Sequence, residues 1–496
     1  MVLGLSLALL VAQFVTAADA LVLDGRRQLF VVDFLVESMT NLTRTVHQPM
    51  DITGNPVILP EHPWEHRRIP FGSVLYFAEE QKFKCWYLAM NIYDSRPGGR
   101  GYRKDHHVPI QEAAVICYAE SEDGVHWRKP MLRLHDFRGS KENNIVLRCP
   151  GTHFDSTSVI HTPWDRVWPY KMMTFIGLWP YQPDLIRKQW GDTEFGIHKH
   201  GHYAFGSKNG IHWTMLNGGE PVVQAHDRSM FWWDSGAKLY VGAAKQSHNG
   251  KRAQRYAWSR DFMHWTITPD LILYADEWDH SGDEGEAAYV FQYGAQYVGF
   301  AELRRVRKGM PTLINWELLC SRDGRDWSRP LRHLFFSDAG TNTWRYQVLK
   351  VFANPPIECD GRLFIYYSGK TGMNDAYTGT GPNQALCLAT LRMDGFVSID
   401  AGNTDGTLIT RPVNLDGKQL FINADATGGE IRAALIGNDG KALSGFDLEK
   451  CEPVKKDTLR GAVRWRDAEN LAGANDQPVR LRIQLRNASL YSIWTE

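Results

Sequence analysis

The sequence predicts an all-β protein: a five-bladed β-propeller followed by a small C-terminal β-sandwich. Three observations carry this expectation. First, the tag Ser-x-(Asp/Asn)-x-x-x-Trp recurs as Ser121–Trp127, Ser207–Trp213, Ser259–Trp265 and Ser321–Trp327. A degenerate fifth copy, Arg392–Val397, keeps an Asp-Gly pair at Asp394 but lacks the Ser and the Trp. Second, each copy follows a short apolar strand, such as AAVICYAE or GHYAFG. Third, upstream of each copy lies a pair of apolar runs joined by a polar turn, as in GSVLYFAEEQKFKCWYLAM and AAYVFQYGAQYVGFAEL. A repeated unit of this size fixes an architecture. Four antiparallel strands per unit make a propeller blade. A plain β-sandwich would not generate five similar units in register.

The elements follow in chain order. Residues 2–14 are almost wholly apolar and run into Thr16-Ala-Ala-Asp-Ala20, a small-residue cleavage pattern. Residues 1–20 therefore read as a signal peptide, although no Lys or Arg precedes the apolar run. The stretch is too short to span a membrane, and a secreted or periplasmic location follows. Residues 21–60 form a lead-in with one strand near 28–37 (LFVVDFLVES), expected to complete the last blade and close the ring. Residues 61–403 hold the five blades. Within each tag, Asp-Gly or Asn-Gly makes a tight turn, because Gly supplies the positive φ it needs. The tag Trp is expected to open the next strand and to be structural. From residue 404 to 496 the pattern changes to alternating runs such as KQLFINADA and VRLRIQLR, with a turn at Asn438-Asp-Gly440. That is a small β-sandwich, expected to be structural, with sugar binding as the alternative.

Composition narrows the function classes. Lys+Arg and Asp+Glu are both 56, and no basic run occurs, which argues against nucleic acid as a partner. Aromatic residues are 12% of the chain, with 18 Trp, which fits a Trp-rich β core and equally a cleft that stacks on sugar rings. Seven cysteines show no disulfide framework, and Cys117, Cys320 and Cys387 fall in equivalent strands of separate blades. They read as small buried hydrophobes. His198, His200 and His202 alternate and could share one face, but the spacing matches no ligand set. No metal and no cofactor is expected, and no span beyond the leader.

The inner strand of each blade begins at one mouth of the ring, so those positions are the candidate site. Blade one offers Arg67-Arg68-Ile-Pro-Phe-Gly-Ser73, with cations and no acid. Blade two offers His153-Phe-Asp155, blade three His226-Asp227-Arg228, and blade four Asp283-Glu284-Gly-Glu286. Blade five offers Asn354-Pro-Pro-Ile-Glu358, preceded by Thr343-Trp344-Arg345. The candidate catalytic residues are Asp155, Asp227 and one of Glu284 and Glu286. Two carboxylates flanking a glycosidic bond suffice for its hydrolysis. One must be protonated and the other ionised, and crowding like charges raises one pKa. On this reading Asp155 and Asp227 are base and pKa modulator, and the Glu is the acid. His153, His226, Arg228, Arg68, Trp344, Arg345 and Glu358 are the expected substrate-binding residues. The competing reading is that an Asp before a strand caps its own turn, and that most of the six acids in Asp276–Glu286 are solvated loop charges.

With these segments on view, the chain resembles the furanosidase-type five-bladed propeller enzymes of glycoside hydrolase families 32, 43, 62 and 68. It is most similar to secreted bacterial family 32-like proteins. Those have segments similar to LFVVDFLVE, VLYFAEEQKFKCWY, SEDGVHW and DGFVSIDAG before a small β-sandwich. The resemblance covers residues from about 24 onward. It implies an Asp on blade one, an Asp on blade two and a Glu acid on a later blade. Asp155 fits the second position. Blade one has Arg67, Arg68 and Gly72 where the first Asp would fall, and neither an Asn-Asp-Pro-Asn nor an Arg-Asp-Pro run occurs.

Three functions are compatible with these residues. The first is a secreted glycoside hydrolase acting on a poly- or oligosaccharide. The second is a non-catalytic carbohydrate-binding propeller, which the missing blade-one acid favours. The third is a sialidase-like enzyme, because the tags resemble Asp-boxes; five blades, rather than six, argue against it.

Overall fold

The computed structural model describes residues 21–90, 114–149, 152–177, 197–347, 349–372 and 381–496. The leader expected at 1–20 lies outside the described residues. The chain divides into two compact units. One is His47–Met393; the other joins the residues up to Val46 with Asp394–Glu496.

The first unit is the propeller, built from five antiparallel sheets. Blade one is Phe71–Phe77, Lys82–Met90, Ala114–Ser121 and Ile145–Arg148. Blade two is His153–His161, Tyr170–Gly177, Gly201–Ser207 and Trp213–Met215. Blade three is Met230–Asp234, Leu239–His248, Lys251–Ser259 and Trp265–Leu273. Blade four is Asp283–Tyr293, Gln296–Arg305, Leu313–Ser321 and Leu334–Phe336. In blade five the inner strand is split into Lys350–Val351 and Ile357–Cys359, both paired with Arg362–Lys370. Gln384–Arg392 follows, and Met50–Asp51 forms the outer edge.

Ring closure corrects the sequence expectation. The strand predicted near 28–37 does not complete the last blade. Gln28–Leu29 and Val36–Thr40 pair within the second unit, and the propeller is closed by Met50–Asp51 on Gln384–Arg392. LFVVDFLVES is apolar because Phe30, Val31 and Leu35 are fully buried, the first and last of them in the sandwich core.

Side chains lock the inner strands to one another. The Val159 amide donates to Ser73 Oγ at 2.9 Å, and Ser73 Oγ donates to the Ala353 carbonyl at 3.2 Å. The Phe231 amide donates to Ser158 Oγ at 3.1 Å, and the Val74 amide to Asn354 Oδ1 at 3.0 Å. Buried backbone groups at the axis are thereby paired, as buried polar groups must be.

Each tag is a self-contained hydrogen-bonded corner. In blade one, Ser121 Oγ accepts from the Gly124 amide at 2.9 Å, and Asp123 Oδ1 accepts from the Val125 and His126 amides at 2.9 and 2.8 Å. Trp127 Nε1 returns to the Gly124 carbonyl at 3.1 Å. The same bonds recur in blade four at Ser321, Asp323, Gly324 and Trp327. The corners also staple neighbouring blades. Trp86 Nε1 of blade one donates to the Gly210 carbonyl of blade two at 2.6 Å, and Tyr366 of blade five donates to the Gly124 carbonyl at 2.8 Å. One detail differs from expectation. The tag Trp opens the fourth strand only in blades two and three. All four tag Trp side chains are partly rather than fully buried.

The second unit is a two-sheet β-sandwich. One sheet runs Asp457–Val463, Leu420–Asp425, Ala488–Thr495, Val397–Ala401, Thr43–Val46. The other runs Val36–Thr40, Gly406–Thr410, Arg480–Arg486, Glu430–Ile436. They enclose a core that includes Phe30, Leu408, Ile422, Leu435 and Ile483. Asp394, the acid of the degenerate fifth tag, is fully buried in this unit. It accepts from Arg27 Nη1 at 3.0 Å, Asn423 Nδ2 at 2.8 Å and Ser492 Oγ at 2.6 Å.

None of the seven cysteines is in a disulfide, and all but Cys359 are buried. Among the described residues no helix is long and apolar enough to cross a membrane, and no group of His, Cys, Asp and Glu is arranged to hold a metal.

Candidate functional site

The starts of the inner strands present a charged cluster to which every blade contributes. Blade two supplies Asp155, whose position is set by a β-bulge: the pairing shifts between Asp155 and Ser158, and Ser156 takes φ 48°. Blade three supplies Asp227 and Arg228, just before its first strand, with Arg228 at φ 62°. Blade four supplies Glu286, again on a bulge, between Gly285 and Ala287. Bulges re-aim side chains, and these two do so beside the axis. The second bulge separates the two candidate glutamates. Glu286 turns to Lys245 Nζ at 3.1 Å, whereas Glu284 lies opposite Arg304 and bonds its Nη1 at 2.6 Å and Arg252 Nη1 at 3.0 Å.

Lys245 organises the acids. Its ammonium, with the side chain only 6% exposed, joins Asp227 Oδ1 at 2.8 Å to Glu286. Asp227 itself opens to solvent, 49% exposed, on the wall of a cavity of about 610 Å³ shared with Phe175, His200, His226 and Gln246. Arg228 is buried and pairs through Nη2 with the fully buried Glu302. Its guanidinium lies 4.4 Å from the centre of the Phe71 ring, and Lys350 Nζ lies 4.1 Å from the same ring. Such contacts are favourable cation–π geometry.

Electrostatics push the carboxyls apart. Burial raises the Asp155 pKa above its ordinary value, and the neighbouring Asp227 charge adds to this, against Lys350, Arg228 and a hydrogen bond from Ser156. Burial also acts to raise Asp227, but Lys245, Arg228 and Lys350 outweigh it and hold the group below its ordinary value. Glu286 behaves likewise: burial is overcome by Lys245, Arg228 and Arg252. Lys350 is lowered to about 8 by burial and by the adjacent Arg228. His202, buried between Phe175 and Phe231, is lowered to about 3 by burial.

The cluster brings together Asp155, Asp227, Glu286 and Arg228 of the sequence-predicted residues. His226 lines the cavity beside Asp227. Arg68 bonds Gln384 Oε1 at 3.1 and 2.8 Å and lies close enough to depress Lys350. His153 opens its strand, but its side chain lies outside the described residues.

The three blade-five candidates have surroundings of their own. Arg345 faces Asp51 of the closing strand at 3.1 Å and stacks on Phe336. Glu358 is exposed and sits in the later half of the split inner strand, eight residues past Lys350. Trp344 packs its backbone and Cβ against Gly369. The Asn354-Pro-Pro run resembles a turn before a strand, yet the inner strand has already begun at Lys350. Lys350 was therefore missed, as were Lys245 and Glu302, which sit within second or split strands. A reading that began the blade at the apolar run Val348–Phe352 would have found Lys350.

The opposite end of the inner strands holds a smaller cavity, about 260 Å³, lined by Trp232, Trp233, Tyr289 and Phe291. Its carboxylate, Asp234, is occupied by the Gly236 and Ala237 amides, each at 2.9 Å. His161 also lines it.

No protein-family model and no curated protein matches the chain. Among solved structures, a fructofuranosidase from Schwanniomyces occidentalis complexed with fructose is 10% identical, covering 90% of this chain and 97% of that one, with a TM-score of 0.44. A glycosyl hydrolase from Bacteroides ovatus is 13% identical, covering 70% of this chain and 94% of that one, with a TM-score of 0.43. A family 117 glycoside hydrolase produced by the marine bacterium Zobellia galactanivorans is 12% identical, covering 71% and 90%, with a TM-score of 0.37. Likeness at this level carries no argument about the reaction. The fold stands on the sheet order itself.

Proposed function

We propose that the protein is an exported glycoside hydrolase acting on a poly- or oligosaccharide, with Asp155 as general acid and Asp227 as its ionised partner. The observation that carries this reading is the pair of carboxyls on adjacent blades whose surroundings drive their pKa values in opposite directions. Titratable neighbours separated in this way mark acid and base roles. A protonated Asp155 gives its proton to the leaving glycosidic oxygen. Asp227 acts at the anomeric carbon, as nucleophile or as base for water. The acid is assigned to Asp155 rather than to a blade-four Glu because three cations keep Glu286 ionised and Glu284 is held by two arginines. Glu286 instead fixes Lys245 against Asp227.

Turnover then requires Asp227 deprotonated and Asp155 protonated. The pH–rate profile is bell-shaped, falling on the acid side as Asp227 protonates and on the alkaline side as Asp155 ionises. The test is a glycan panel followed by Asp155→Asn and Asp227→Asn on whichever substrate is cleaved. Each variant should lose roughly 10²–10⁴-fold in kcat while remaining folded by circular dichroism. Full activity in both variants would remove these residues from the mechanism. A glycan that binds without being cleaved would replace the hydrolase by a binding propeller.

A further inference from the structure

The cations at the ring centre are not all matched by hydrogen bonds. Of Arg228's three nitrogens, Nη2 reaches Glu302, while Nε and Nη1 are buried with no hydrogen-bond partner among the described residues. Glu302 is fully committed, since its second oxygen accepts the Val351 amide. Lys350 stands over the same ring as Arg228, and among the described residues its Nζ makes neither a hydrogen bond nor an ion pair. Asp227 and Glu286, the nearest other carboxylates, share Lys245, and Arg252 contacts Glu286 at 3.2 Å. Arg228 and Lys350 thus share Asp155 and Glu302, and two Arg228 donors stay without an acceptor among the described residues. Buried N–H groups without acceptors cost free energy, and two like charges close together in a poorly solvated place repel.

We propose that Arg228 and Lys350, above the face of Phe71, form an oxyanion subsite for a carboxylate borne by an acidic sugar of the substrate or for free phosphate. A neutral hydroxyl would satisfy one N–H but would not offset the repulsion between the two cations. An oxyanion satisfies the donors and the charge together, and charge-assisted bonds of this kind are about twice as strong as neutral ones. The lowered Lys350 supports this reading: Arg228, Arg68 and burial depress it, against Asp155 and Glu302. The five groups concerned come one from each blade. The inference names the substrate class within the proposed hydrolase, yet its test involves no turnover.

The experiment is calorimetric titration of the full chain near neutral pH with D-galacturonate, D-galactose and inorganic phosphate in separate arms. Galacturonate binding at least roughly tenfold tighter than galactose assigns the subsite to a sugar carboxylate. Phosphate binding without galacturonate binding assigns it to free phosphate. The preferred anion should bind more weakly as pH rises through about 8, where Lys350 loses its proton. Lys350→Met should abolish the preference for the anion; because its Nζ bonds nothing among the described residues, this variant should stay folded where an Arg228 variant, stranding Glu302, would not. Equal binding of galactose and galacturonate with no phosphate binding overturns the inference. So does binding of neither anion, or an unchanged preference in Lys350→Met.

Discussion

Gly210→Ala tests the claim that the tags join blades as well as turn corners. Gly210 has φ 75°, and a Cβ built there would lie 2.7 Å from Trp86 Cζ2 and 3.2 Å from Tyr170 Cδ1. Its carbonyl accepts the Trp86 indole N–H at 2.6 Å. The substitution therefore has two costs. Holding an L-residue in the left-handed region costs about 1–2 kcal/mol. Forcing a methyl into the buried Trp86 ring costs about 1–3 kcal/mol. Gly250 separates the two. It has φ 73° with nothing within 4 Å of the added Cβ, so Gly250→Ala carries the backbone cost alone. Urea denaturation followed by tryptophan fluorescence compares the midpoints at a common slope. Gly210→Ala should be destabilised beyond Gly250→Ala by about 1–3 kcal/mol. Equal midpoints would refute a packed contact between the blade-two tag and blade one.

Two further outcomes follow from the charge clusters. Lys245→Met removes the cation that most strongly holds Asp227 ionised, so the acid limb of the pH–rate profile should move to higher pH; an unmoved limb would mean that Asp227 does not set it. Asp394→Ala removes the acceptor of Arg27, Asn423 and Ser492 and should destabilise the sandwich by about 2–4 kcal/mol in thermal unfolding, with no change in kcat on a cleaved glycan.

Much of the fold was legible because its signals are local. The bonds among Ser121, Asp123, Gly124 and Trp127 span seven residues, so one window of sequence contains the whole corner. The placement of Asp155, Asp227 and Glu286 also followed from position, since each stands at the start of an inner strand. What escaped depended on distant partners. Asp394 looks like a worn tag, and only Arg27, Asn423 and Ser492, far away in sequence, reveal it as a buried sandwich anchor. The choice between Glu284 and Glu286 hinged on a one-residue bulge that the Glu-Gly-Glu run does not announce. Lys245 reads as a polar interruption in a strand until Asp227 and Glu286 are seen on either side of it.

The threading of the chain has a consequence during synthesis. Val36–Thr40 and Thr43–Val46 leave the ribosome before the ring, yet their partners, Gly406–Thr410 and Val397–Ala401, follow it. With the entire ring translated in between, the wait is on the order of tens of seconds at ordinary elongation rates. For that time both are naked edges, the kind of surface that recruits foreign strands. Their sequences suit the delay. Val-Glu-Ser-Met-Thr and Thr-Arg-Thr-Val mix polar and charged residues with few large apolar ones, a composition that disfavours foreign pairing until those partners arrive.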